Sequence, residues 1–175
     1  MSLSHQRARA AVLLVGLLTT GLLTGCGTIG TTPATSGLST TTSAPAAHQV
    51  RTLNGDTVTL PVPGKTTVLH FFSLSCAQCI EGIQAVGKAQ QAVAADYIAV
   101  AIDPGDEPED ITGMLCAAGS PQLTVARDTD ATLLRTWRVT APATTIVVDS
   151  TGKIAFRGVV PTAEELTEAI RGVTT

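Results

Sequence analysis

Residues 66–79, TTVLHFFSLSCAQC, constrain this chain more than any other stretch. The β-branched and aromatic residues before Ser73 read as a buried strand. The apolar positions that follow, Ile80, Ile83, Val86, Ala89 and Val93, recur at helical spacing. Cys76 and Cys79 therefore stand where a strand hands over to a helix. Two intervening residues put them i to i+3 on the helix's first turn, close enough to form a disulfide without backbone rearrangement. The unpaired N–H groups and partial positive charge of a helix N-terminus favour a thiolate at Cys76. Those conditions suit thiol–disulfide exchange.

Aromatic residues make up only 3% of the chain, so a core must be drawn from Val, Ile, Leu and Ala, packed in β and α layers. A formal net charge of -3 argues against a nucleic-acid partner, and 44% hydrophobic residues argue against a disordered chain. Four cysteines are too few for a disulfide-stapled scaffold. They divide by context into Cys26, the Cys76 and Cys79 pair, and a lone Cys116.

Upstream, His5, Arg7 and Arg9 precede an uncharged apolar run at residues 10–23, the layout of an export signal. At about 14 residues the run is shorter than the roughly 20 a membrane span needs. It ends in Leu23-Thr24-Gly25-Cys26, which resembles the lipobox of bacterial lipoproteins, in which the cysteine sulfur is diacylated. Residues 1–26 are thus expected to be a lipoprotein signal peptide with Cys26 as the acyl acceptor. Residues 27–47, almost all Thr, Ser, Gly, Ala and Pro, cannot bury enough apolar surface to order and read as a flexible tether. Such a tether would span about 25 Å. Residues 48–175 form the expected domain.

That domain opens with a predicted hairpin, strands 50–53 and 57–60 around Asn54-Gly55, a type I′ turn pair. After the strand and helix of the cysteine stretch come a strand at 97–102, a helix from Pro108 to near Gly119, a strand at 123–126 and a short helix at 128–137. Strands follow at 145–148 and 153–156, then a helix over 163–171 capped by Pro161-Thr162. Pro142 stands at the mouth of an apparently central strand, where a proline breaks the ladder unless it has a special role, usually a cis X-Pro bond.

The order β-hairpin, β, α, β, α, β, α, β, β, α, with C-x-x-C after the first long strand, resembles the thioredoxin fold. More closely, it is similar to the TlpA/ResA-like and extracytoplasmic Dsb-type thioredoxins of bacteria, several of which are lipoproteins. The points of likeness are Gly64-Lys65, the F-F-x-x-x-C-x-x-C run, the Pro142 segment, and the run from Val147 through Asp149 and Gly152 to Ile154. The resemblance implies an α/β thioredoxin-like domain: a central mixed β-sheet flanked by helices, with an N-terminal β-hairpin. It implies a disulfide between Cys76 and Cys79, with Cys76 attacking, Cys79 resolving, and a cis-proline edge at Ala141 and Pro142 presenting the substrate backbone. It implies an extracytoplasmic thiol–disulfide oxidoreductase without a cofactor. Its partners would be client proteins bearing thiols or disulfides, a membrane redox partner that recycles the pair, and the membrane itself through the lipid anchor. The interior of the motif departs from the family, with Ser75 where tryptophan is usual and Gln78 where proline or histidine is.

His70 lies six positions before Cys76, on the strand face of Val68 and Phe72, and is expected to be buried. A neutral imidazole there could accept the proton of Cys79, or be a core histidine satisfied by backbone groups. Cys116 is expected to be a small buried hydrophobe rather than a third redox thiol, and Trp137 and Phe156 core residues. Two other readings remain at this stage. A peroxiredoxin would want Ser73 three before Cys76, but Leu69 stands where its motif needs proline. A copper metallochaperone would use both thiolates, but its thioredoxin-like relatives have wider cysteine spacing and a distal histidine, and no histidine follows His70.

Overall fold

The computed structural model describes residues 43–174. The expected signal segment, Cys26 and most of the expected tether lie outside the described residues. Element order follows the expectation: β1 (His48–Arg51), β2 (Thr57–Leu60), β3 (Thr67–Phe72), α1 (Cys79–Ala92), β4 (Asp96–Ala101), α2 (Pro108–Ala117), β5 (Thr124–Arg127), α3 (Thr132–Thr136), β6 (Thr144–Val148), β7 (Ile154–Val159) and α4 (Ala163–Thr174). Five strands form a mixed sheet in the order β5-β4-β3-β6-β7. β3 runs parallel to β4, with Thr67 opposite Asp96 and Phe72 opposite Ala101, and antiparallel to β6 on its other edge.

All six residues of β3 are buried, so its side chains must be accommodated on both faces of the sheet. Val68 and Phe72 join Ile83 and Val86 of α1, Ile111 and Leu115 of α2, and Leu166 and Ile170 of α4. Leu69 and Phe71 join Ile98, Leu133, Trp137 and Ile146 on the opposite face, which α3 and the hairpin cover. Burial of each large apolar side chain contributes about 1.5–3 kcal/mol. Trp137 is buried, as expected, and Phe156 packs half-buried against the first cluster. Tyr97 of β4 ties its hydroxyl to the carbonyls of Ala89 (3.0 Å) and Val93 (2.9 Å), satisfying acceptors at the C-terminus of α1.

Local chemistry sets the remaining boundaries. At the start of α4, the Thr162 hydroxyl accepts the Glu165 N–H (3.2 Å) and the Glu165 carboxylate accepts the Thr162 N–H (2.8 Å), a reciprocal cap. α2 closes with Gly119 at φ 68° and a Ser120 N–H donated to the Leu115 carbonyl (2.9 Å). α3 starts four residues later than expected. Both Asp128 carboxylate oxygens accept N–H groups, from Leu133 (2.9 Å) and Leu134 (2.8 Å), so Asp128 caps from outside the helix.

Three further expectations change. The hairpin turn is not type I′: Gly55 has φ 86° but Asn54 is not in the left-handed region, because Arg51–Thr57 is the last strand pair and leaves a five-residue loop. α1 begins at Cys79, which puts Cys76 one turn ahead of the helix and rotates Ile80 out of the core to 37% exposure. Ser43 and Ala44, assigned to the tether from composition, lie against the β6–β7 turn. Ser43 bridges Lys153 and the Ala44 N–H donates to the Gly152 carbonyl (2.7 Å). Among the described residues no helix is long and apolar enough to cross a membrane.

Candidate active site

β3 delivers its C-terminal end into the loop Ser73-Leu74-Ser75, and Cys76 follows. This loop is held from two directions. The Ser73 and Ser75 hydroxyls share a hydrogen bond of 3.1 Å, and the Leu74 N–H donates to the Asp106 carboxylate (3.0 Å). Asp106 is itself buried between β4 and α2, with its N–H on the Asp103 carbonyl (3.1 Å) and its carbonyl accepting from Arg127 Nη2 (2.9 Å). Nothing in the spacing of Asp106 links it to Leu74, 32 positions earlier, so the sequence pattern does not mark it.

Cys76 and Cys79 form a disulfide, with Cα atoms 5.4 Å apart. Their environments differ: Cys76 is half-buried, whereas Cys79 is fully buried at the first residue of α1. The Cys76 N–H donates to the Ser73 carbonyl (3.2 Å) and the Cys79 N–H to the Cys76 carbonyl (3.1 Å). Gln78, the N-cap, makes no side-chain capping bond, so no side chain competes for the first-turn N–H groups beside the sulfurs.

Cys79 shares a core cluster with Ala143, and Cys76, Leu74 and Val160 pack against it. Here the structure corrects the cis-proline expectation. Among the described residues the cis X-Pro bond is Leu60–Pro61, and the Ala141–Pro142 bond is not cis. Ala143 makes the turn into β6 instead, in the left-handed region at φ 59° and buried. That conformation is held by the Thr144 hydroxyl on the Ala141 carbonyl (2.7 Å) and by the Val160 N–H on the Ala143 carbonyl (2.9 Å). Ala141 and Pro142 themselves are half-buried at the surface of this turn.

His70 is fully buried on the Val68 and Phe72 side of β3, its ring stacked near that of Phe72 at 6.4 Å between centroids. Nδ1 hydrogen-bonds Thr145 Oγ1 at 2.9 Å, while Nε2 has no protein partner. The ring presses on α1 at Gly82, where a Cβ would stand 2.5 Å from Cε1 and 3.0 Å from Nε2. Glycine is therefore required at a position three residues beyond Cys79. Burial in this apolar setting pushes the imidazole pKa down to about 4. Cys116, expected to be buried, is instead an exposed free thiol on α2, because Ile111 and Leu115 take the inward positions.

No family model matches the chain. It is 35% identical over 153 residues to a Streptomyces lividans protein, "Mercury resistance operon ORF3", covering 84% of this chain and 80% of that protein. Among solved structures, MTB DsbF superposes with a TM-score of 0.64 at 22% identity, over 72% of this chain and 94% of that one. A secreted Mycobacterium tuberculosis disulfide oxidoreductase homologous to E. coli DsbE superposes with a TM-score of 0.63 at 16% identity, over 71% of this chain and 95% of that one. The fold is thus the expected thioredoxin fold, with its hairpin and mixed sheet.

The buried imidazole gives stability a pH dependence whose sign is fixed. Between pH 6.5 and about 4 the unfolded chain binds a proton at His70 that the folded chain does not, so stability falls as the solution is acidified. Urea unfolding at pH 7 and pH 5 should differ by about 2 kcal/mol from this group. In a His70→Gln variant, that difference should largely disappear.

Proposed function

Because the chain belongs to the family of the Streptomyces lividans mercury resistance operon ORF3 protein, and has a thioredoxin fold, we propose that it is a membrane-tethered thiol–disulfide oxidoreductase. Its clients are proteins outside the cytoplasm. The observation that carries this reading is the asymmetry of one disulfide: Cys76 half-buried ahead of α1, Cys79 fully buried at its first residue. Access and thiolate fraction set the rate of attack, so Cys76 makes the first bond to a client.

In the reducing direction the Cys76 thiolate attacks a client disulfide, forming a mixed disulfide and releasing one client thiolate. Cys79 loses its proton and attacks Cys76 Sγ, which releases the second client thiol. Two electrons pass to the client and the Cys76–Cys79 bond closes. A membrane redox partner then restores the dithiol, and the reverse sequence oxidises a client. Client backbone docks at Ala141 and Pro142, on the turn whose next residue, Ala143, packs with Cys79.

His70 is the proton acceptor for Cys79. An unpartnered Nε2 on the α1 side next to Gly82, three residues beyond Cys79, supports that role. Anchoring rests on the lipobox, with Cys26 acylated and residues 27–47 as the tether. The operon of the relative supports an environment in which a thiophilic metal attacks exposed thiols, where a repair dithiol has a use.

Cys79→Ala should accumulate mixed disulfides with client proteins, seen as high-mass bands that vanish on reduction, while Cys76→Ala should show few or none. Equal trapping by both variants would reverse or remove the assigned roles. His70→Asn should slow release of the mixed disulfide about 10-fold or more with little effect on its formation, by stopped-flow on a model disulfide. Slowing both steps alike would leave His70 a packing residue. Cys26→Ala should move the protein from the membrane fraction to the soluble one, and unchanged fractionation would exclude the lipid anchor.

A further inference from the structure

Once reduced, the Cys76 and Cys79 pair presents two sulfurs on residues whose Cα atoms lie 5.4 Å apart. Cys79 lies in an apolar setting, sharing a cluster with Phe72, Ile83 and Ala143, while Cys76 packs at its edge with Leu74 and Val160 and is partly open to solvent. The carboxylate that reaches this loop, Asp106, is committed to the Leu74 N–H. The buried imidazole of His70 is committed through Nδ1 to Thr145. Among the described residues, no three His, Cys, Asp or Glu side chains are grouped so as to hold a metal ion. The donor set is therefore two soft sulfurs and nothing further.

That set is wrong for most biological cations and right for one kind. A structural zinc ion takes four ligands and would be left half-coordinated here. Soft thiolates select soft ions, and a soft d10 dication that prefers two collinear sulfur ligands is complete with a pair. Two thiolates also cancel its charge. A neutral complex can sit against apolar side chains without the counter-charges that a buried ion otherwise needs.

We infer that the reduced pair is a binding site for a soft, two-coordinate cation, with Hg(II) as the ion that fits it. The inference rests on the proposed reading that Cys76 and Cys79 cycle as a free dithiol, kept reduced by a thiol reductant. The ion arrives with two ligands, chloride or monothiolate; both Hg–ligand bonds break as two S–Hg bonds form to the Cys76 thiolate and to Cys79, whose proton leaves to water or to a displaced monothiolate. No electrons move. Cys76, which solvent reaches, takes the ion first, and the buried Cys79 closes the chelate. An occupied site cannot attack a disulfide, so metal capture and disulfide exchange exclude each other.

The test uses the full chain with Cys26→Ser and Cys116→Ser, which removes the other two thiols. The protein is reduced with dithiothreitol, desalted without oxygen, and titrated with mercuric chloride while thiolate-to-mercury absorbance is followed. One Hg(II) per chain should bind. It should resist glutathione at about 100-fold higher concentration than strips the ion from chains that also carry Cys76→Ala or Cys79→Ala, since closing the second bond is intramolecular. The same chain left oxidised should retain no Hg(II), a comparison that needs no further substitution. Loss of the ion at the same glutathione concentration in all reduced forms would overturn the inference, as would equally firm retention of Zn(II). Disulfide reductase activity is measured on the reduced chain before mercury is added. Activity without Hg(II) retention removes this inference alone; retention without activity removes the oxidoreductase reading alone.

Discussion

The pairing of β3 on both edges is the constraint on which the other features depend. Parallel bonds to β4 and antiparallel bonds to β6 satisfy its peptide groups, and burial of all six side chains leaves it no contact with water. A strand so placed cannot slip by one residue without turning His70 out of one core and Leu69 into it. The end of β3 is therefore a fixed point. The cysteine loop inherits that fixity, and Asp106 extends it by holding the Leu74 N–H from the neighbouring β4–α2 connection.

His70 and Gly82 show how closely the site is coupled to the packing beneath it. The imidazole occupies the space that any side chain at Gly82 would need, so the distance between β3 and the first turns of α1 is set by one ring. The same burial that allows this approach pushes the imidazole pKa down and holds the ring neutral at pH 7. The close packing and the lowered pKa at this position have one cause.

Much of this was readable from residue pattern alone. The β-branched and aromatic run before Ser73 marked a buried strand, and the change to helical spacing after Cys79 placed the cysteines at the junction. What escaped the pattern were features made by contacts distant in sequence or by competing local bonds. Asp128 delays α3 because its carboxylate captures two N–H groups, and composition alone cannot say which of several acidic residues will do so. Pro142 drew attention to the turn into β6, but the unusual backbone belongs to Ala143, since alanine carries no signal for a left-handed φ. Cys116 was assigned inward from its apolar neighbours, but Ile111 and Leu115 already fill the inward stripe of α2.

The contact of Ser43 and Ala44 with the β6–β7 turn sets a direction for the whole domain. That turn follows Val148, which lies opposite Thr67 at the start of β3, whereas the disulfide follows the end of β3. Six residues of strand separate the two, about 20 Å. Ser43 and Ala44 therefore join the fold at the Gly152 turn, at the pole opposite the sulfurs. The start of the described chain and the disulfide thus lie at opposite ends of the same sheet.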